Sequence, residues 1–154
     1  MSTTVGAQPP SDRGPLLGAL LRLAHRSLVT AVERELAGAG YDDLQQAHFA
    51  ATQPLWDRPG GVRLTELAAL GRITKQSMGA LLDHLEARGY VERVDDPDDR
   101  RARLVRLTGK GMGLARAARE AVRRVEADWS SRVGARRIDA LRETLQLIVA
   151  SIDE

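Results

Sequence analysis

Apolar residues recur at helical spacing over long stretches at both ends of this 154-residue chain, and they switch to two-residue alternation near the middle. Leu17, Leu20, Leu21, Ala24, Leu28, Val32 and Leu36 fall on one face of a first helix, which Gly38 and Gly40 end. Asp42 or Asp43 is placed to cap a short second helix carrying Leu44, Ala47, His48 and Ala51, stopped near Pro54. Trp56 to Gly61, with Pro59 between, reads as a loop. Near the other end Thr108 caps a long helix whose inner face is Ala115, Ala118, Val122, Val125, Trp129 and Val133, broken at Gly134. The last helix sets Ile138, Leu141, Leu145, Ile148 and Ile152 in a narrow, coiled-coil-like seam. That seam predicts a partner, and a symmetric dimer is the commonest way to supply one.

The centre has a different pattern. Leu64, Leu67, Ala68 and Leu70 make a short helix ended by Gly71, and Thr74 is the N-cap of the next. That helix buries Met78, Leu81, Leu82 and Leu85 and stops at Gly89. Two helices joined by a short turn with a glycine make a helix-turn-helix, whose second helix presents its N-terminal residues to base edges in the major groove. Thr74, Lys75, Gln76 and Ser77 supply hydrogen-bonding groups there, and Gly79 and Ala80 are small enough for close approach. Any surface helix begins with polar residues, so this pair alone leaves a plain solvated helix open. Next, Tyr90 to Val94 alternates as a strand, Asp95, Asp96, Pro97, Asp98 and Asp99 form an acidic turn, and Arg101 to Leu107 alternates again. This hairpin, a wing, carries Arg100, Arg101, Arg103 and Arg106, and an arginine at a hairpin tip can enter the minor groove. A carboxylate of the turn can hold such an arginine in a fixed pose. An ordinary hairpin with a surface ion-pair ladder is the alternative.

Composition narrows the function. Net charge is only +2, from 23 basic and 21 acidic residues, so nucleic-acid binding depends on local charge such as the four wing arginines. Two Trp, two Tyr and one Phe are too few for the stacking platform of a single-strand binder, which favours a duplex. There is no cysteine, hence no disulfide framework, thiolate metal site or cysteine redox switch, and a cytoplasmic setting fits. The polar segment over 1–15 lacks the pattern of a signal peptide and reads as a disordered tail; no stretch is apolar enough to span a bilayer. Gly109, Lys110, Gly111 and Gly113 do not have the spacing of a phosphate loop and read as a flexible strand-to-helix junction. His25, His48 and His84 have no paired metal spacing, and no catalytic motif or cofactor site is present, so neither metal, cofactor nor enzymatic activity is expected.

From Leu64 to Gly111 the chain resembles the MarR family of bacterial winged-helix regulators. Asp99, Arg101, Val105, Leu107 and Thr108 stand at the spacing of that family's wing signature, and Leu85, Glu86, Arg88, Gly89, Val91, Glu92 and Arg93 match the segment before it. With the flanking helices the resemblance extends over nearly the whole chain after Pro15. It implies an obligate homodimer on a pseudo-palindromic operator, with Arg101 in the minor groove and Asp99 as its positioning partner. Thr74, Lys75, Gln76, Ser77, Ala80 and His84 would then face the major groove, with Arg103 on the same interface. Many relatives carry a long basic residue where this chain has Ala80. Relatives also bind small, usually aromatic and anionic effectors between the dimerisation helices and the DNA-binding lobe, where Arg22, His25 and His48 would lie. The cysteine-based peroxide-sensing branch is excluded by composition.

The expected fold is mainly α with a small β-hairpin wing (α+β), a winged helix-turn-helix flanked by N- and C-terminal dimerisation helices. The expected layout is a tail over 1–15, N-terminal helices over 16–56, a DNA-binding lobe over 57–108 and dimerisation helices over 109–154. The expected function is a dimeric, sequence-specific, duplex-DNA-binding regulator, a repressor released by a small molecule. The rival reading is a helical protein–protein interaction module without DNA binding.

Overall fold

The computed structural model describes residues 14–152. The tail expected over 1–15 falls, up to residue 13, outside the described residues. Six helices and three strands follow in the order α1 Leu17–Gly38, α2 Gln46–Thr52, β1 Val62–Arg63, α3 Leu64–Leu70, α4 Lys75–Ala87, β2 Val91–Asp96, β3 Asp99–Leu107, α5 Gly109–Val133 and α6 Ala135–Ile152. A single 3₁₀ turn, Gln53–Leu55, extends α2. Among the described residues no helix is long and apolar enough to cross a membrane.

The central lobe forms where its periodicity places it. Thr74 Oγ1 accepts from the Ser77 amide at 3.1 Å and starts α4. Met78, Leu82 and Leu85 are buried on its inner face, and Gly89 ends it with φ 76°. The helix-turn-helix turn places Arg72, not a glycine, in the left-handed region at φ 50°. Gly71 serves a different need: a Cβ there would lie 3.1 Å from Met78 Cε and 3.3 Å from the Leu67 carbonyl oxygen.

Three local expectations are corrected. The cap of α2 is Gln45, whose amide donates to His48 Nδ1 at 3.0 Å; neither Asp42 nor Asp43 takes that place. Trp56 to Gly61 is a loop, as expected, and it leads into β1, which pairs antiparallel with β3 through Val62 and Val105 and gives a sheet of order β1-β3-β2. The hairpin strands run further than alternation indicated, with Asp95 opposite Arg103, Asp96 opposite Asp99, and a register irregularity between Asp95 and Asp96. Only Pro97 and Asp98 remain in the turn. Finally, Gly109 to Gly113 is no flexible junction but the first turn of α5, capped by Thr108 Oγ1 accepting from the Gly111 amide at 3.1 Å.

One core joins these elements. Leu36 of α1, Ala51 of α2, Leu55, Val62, Leu67, Met78, Leu82, Tyr90, Val105 and Leu114 are all buried within it. Helix α6 contributes no buried residue, and α1 contributes only Leu36. Leu17, Leu20 and Leu21 of α1 and Leu141, Ile148 and Ile152 of α6 stay exposed in the single chain. The apolar stripes read from the terminal segments are therefore real, but the chain's own core does not cover them.

Tyr90 ties the lobe to its flanks. It is fully buried; its hydroxyl donates to Asp43 Oδ1 at 2.7 Å, and its carbonyl accepts from the Thr108 amide at 3.1 Å. Lys110 Nζ lies 4.1 Å from its ring centre. Burial, followed by the Asp43 hydrogen bond, pushes the phenol well above its ordinary pKa, so it stays a neutral donor. One residue thereby links the end of α4, the start of α5 and the loop between α1 and α2.

Candidate nucleic-acid interface

Thr74, Lys75, Gln76, Ser77 and Ala80 are all exposed at the N-terminal end of α4. Successive residues rotate by about 100° on a helix, which sets Gln76, Ala80 and Asp83 opposite the buried face of Met78, Leu82 and Leu85. Thr74 and Ser77 are already engaged with each other, because the Thr74 hydroxyl donates to Ser77 Oγ at 2.9 Å while capping the helix. Lys75 and Gln76 make no side-chain hydrogen bond among the described residues, so their donors and acceptors are open to a ligand.

His84 does not fit the outward role. It is half-buried and stacks on His48 of α2, with ring centres 4.0 Å apart and planes 15° from parallel. Its Nδ1 lies 3.0 Å from Arg88 Nη1, and its Nε2 is buried without a partner. The ring lies on the flank of α4 that packs on α2, so its reach toward the groove is used in joining two helices.

Arg93 locks the wing to this helix and Arg63 locks the wing's turn to β1, and neither is among the candidate site residues of the sequence. Arg93 of β2 is gripped by two carboxylates of α4, Glu86 through Nη1 and Asp83 through Nη2, the latter at 2.6 Å. Arg63 of β1 donates through Nε to Asp96 Oδ2 at 2.7 Å, and the same carboxylate's Oδ1 accepts from the Asp98 amide at 2.9 Å. Asp96 is buried, 5% exposed. The backbone bond from Asp98, followed by Arg63, holds its carboxyl below the ordinary range against the opposing pull of burial. The turn carboxylate that fixes the wing is thus Asp96, and the cation it holds is at the wing's base.

Asp99 has a different partner from the one expected. Its Oδ1 accepts from the Arg101 backbone amide at 3.0 Å, and its Oδ2 lies 4.0 Å from Arg63 Nη2. The bond shapes the backbone at Arg101 without holding the guanidinium. Arg103 faces Asp95 at 3.3 Å and Arg106 faces Glu92 at 2.7 Å, so each has a cross-strand counterion. Arg100 and Arg101, both exposed at the tip, form no ion pair among the described residues. Near-neutral overall charge therefore coexists with two tip guanidiniums, Arg100 and Arg101, left without ion pairs among the described residues beside the carboxylates of the turn.

Arg22, His25 and His48 are not brought together. His25 lines a cavity of about 250 Å³ bounded by α1, α2, the 3₁₀ turn and α5. His48 points to the other side of α2, toward α4, and Arg22 is exposed on α1 outside that lining. A second, more open hollow of about 550 Å³ lies between α1, α5 and α6, over Trp129, Leu141, Leu145 and Val149. Among the described residues no group of three or more His, Asp or Glu is placed to hold a metal ion.

A family model described as MarR family matches residues 57–102. The transcriptional regulator HosA of Escherichia coli O111:H- is 34% identical over 76 residues, which is 49% of this chain and 56% of that protein. The alignment thus spans little more than half the length of the curated relative. A transcriptional repressor, CouR, solved bound to a 23-mer DNA duplex, superposes with a TM-score of 0.72 at 29% identity, over 94% of this chain and 99% of that one. A MarR family protein of Mycobacterium tuberculosis, solved with salicylic acid, gives 0.66 at 28% identity over 88% and 98% of the two chains. With the helix-turn-helix, the wing and the flanking helices all in place, the chain is similar to the MarR family in sequence over residues 57–102 and in fold over most of its described length.

Proposed function

We propose that this chain is a dimeric transcriptional regulator that binds duplex DNA sequence-specifically through α4 and the wing, acts as a repressor and is released by a small molecule. The observation that carries the reading is the pairing of an open polar helix start, Lys75 and Gln76, with an arginine tip, Arg100 and Arg101, on one braced lobe. The helix start suits base edges in the major groove, and the tip suits the negative potential of the minor groove. With Ala80 short and His84 turned aside, base reading falls on Lys75 and Gln76, and DNA shape supplies more of the specificity. That the similar CouR is a transcriptional repressor solved bound to a 23-mer DNA duplex supports duplex binding.

The exposed leucines and isoleucines of α1 and α6 support a homodimer, since apolar surface of this kind is ordinarily covered by a partner. Two lobes in a dimer reach successive major grooves only when their recognition helices lie roughly 34–36 Å apart. A ligand that favours a mis-spaced arrangement draws the dimer off DNA by mass action. The cavity between α1, α2 and α5 lies where flank and lobe meet, and a similar protein binds salicylic acid.

Selection of bound fragments from genomic DNA, followed by sedimentation of the free protein, tests the reading. Recovery of fragments sharing an inverted repeat, by a protein sedimenting as a dimer, is the expected result. A dimer that enriches no sequence at moderate salt points instead to a helical interaction module.

A further inference from the structure

The cavity bounded by α1, α2 and α5 has an unusual charge. Its wall is mostly apolar, with Leu28, Val32, Phe49, Trp56 and Val122 among its residues, and Gln46, Gln53 and His25 add polar groups. Glu33 is its acidic lining residue, and among the described residues no Lys or Arg lines it. Glu33 is half-buried and has no ion-pair partner among the described residues. Its neighbours differ: Glu35 pairs with Arg124 at 3.2 Å, and Glu126 pairs with Arg142 at 2.8 Å.

A carboxylate beside an apolar wall loses hydration when the space is filled, and that loss is offset only by a counterion or hydrogen-bond donors. An anionic ligand would add a second negative charge at short range. A cationic ligand supplies what the site lacks, and the ring of Phe49 offers a surface that attracts an ammonium group, whereas the Trp56 ring already has the Arg119 guanidinium 5.4 Å from its centre. We propose that this cavity takes a small lipophilic organic cation, an amine or quaternary ammonium on an aromatic body, with Glu33 as its counterion. The proposal rests on the reading of this cavity as the effector site. It departs from the aromatic anion that the family resemblance implies, because Arg22, the one basic side chain expected beside the effector apart from the histidines, does not line the cavity.

Three probes of nearly equal shape test it: naphthylmethylamine, naphthylmethanol and naphthoate, titrated calorimetrically at neutral pH into the full chain. The amine is expected to bind at least about tenfold tighter than either of the others. Glu33→Gln should bring the amine down to the level of the alcohol, and Glu35→Gln should leave the order unchanged. Naphthoate binding as tightly as the amine, or an order that survives Glu33→Gln or collapses in Glu35→Gln, overturns the proposal. Release of DNA is read separately by gel shift. The charge order with its Glu33 dependence supports the proposal even if no DNA is released, in which case the effector reading alone fails.

Discussion

Arg63 and Asp96, 33 positions apart in the chain, are joined by a 2.7 Å hydrogen bond that fastens the wing's turn to the strand leading into the helix-turn-helix. The carboxylate is buried and also accepts the Asp98 amide, so a single side chain sets both the shape of the turn and its attachment.

Replacing Asp96 by Asn should therefore loosen the wing while the helical core stays folded. Amide exchange at the wing should quicken, and operator affinity should fall. The acid response should change as well. The folded carboxyl titrates below its ordinary value of 3.8, so its stabilisation is present above that pH and is lost as pH falls through the folded value. Asp43, held down chiefly by the Tyr90 hydroxyl, has the same sign and should remain in the variant. Thermal melts from pH 5 to pH 2.5 should show a shallower acid loss for Asp96→Asn than for the parent; parallel curves would contradict the assignment.

This contact also marks where the sequence was legible and where it was not. Thr74, Gly89 and the spacing of Met78, Leu82 and Leu85 announce α4 because capping and helical burial are local effects. The hairpin announced itself by alternation. Strand β1 did not, since two residues are too few to alternate, and with it went the chance to see Arg63. Among Asp95, Asp96, Asp98 and Asp99 no periodicity singles out the buried one. His84 was misplaced because its partner His48 is distant in sequence, and a half-buried flank looks like an exposed one in a helical projection. The cap of α2 was missed because a Gln–His pair is not among the common capping signals.

The histidine stack should make the joint between α2 and α4 sensitive to pH. Burial first, then the nearby His84 and Arg88, pushes His48 below the ordinary imidazole value of 6.5, while Asp43 pulls it upward. Stability contributed by neutral His48 is present above pH 6.5 and is lost as pH falls below it toward the folded value. His48→Asn keeps a polar acceptor and does not titrate in this range. Melts between pH 8 and pH 5 should slope downward for the parent and run flatter for the variant; equal slopes would remove His48 as the source.

Gly111 is a packing glycine inside the first turn of α5. An added Cβ would lie 2.1 Å from the Tyr90 carbonyl oxygen and 3.0 Å from Leu107 Cδ2. Since Tyr90 ties the lobe to its flanks, neither backbone can shift without disturbing the other. Gly111→Ala should cost stability at the upper end of the roughly 1–3 kcal/mol typical of overpacked sites. Gly113→Ala meets only the Tyr41 hydroxyl, at 3.0 Å, and should cost less. Chemical denaturation of both variants gives the comparison, and an undisturbed Gly111→Ala would mean that the junction is looser than described.

The central claim is that the lobe binds DNA with Arg101 at the wing tip free to enter the minor groove. Fluorescence anisotropy of a selected operator with the parent and Arg101→Ala, at one fixed salt concentration, tests it most directly. A loss of about 1–3 kcal/mol in the variant, with an unchanged dimer by sedimentation, is the predicted result. Equal affinity of the two proteins for the operator would contradict it.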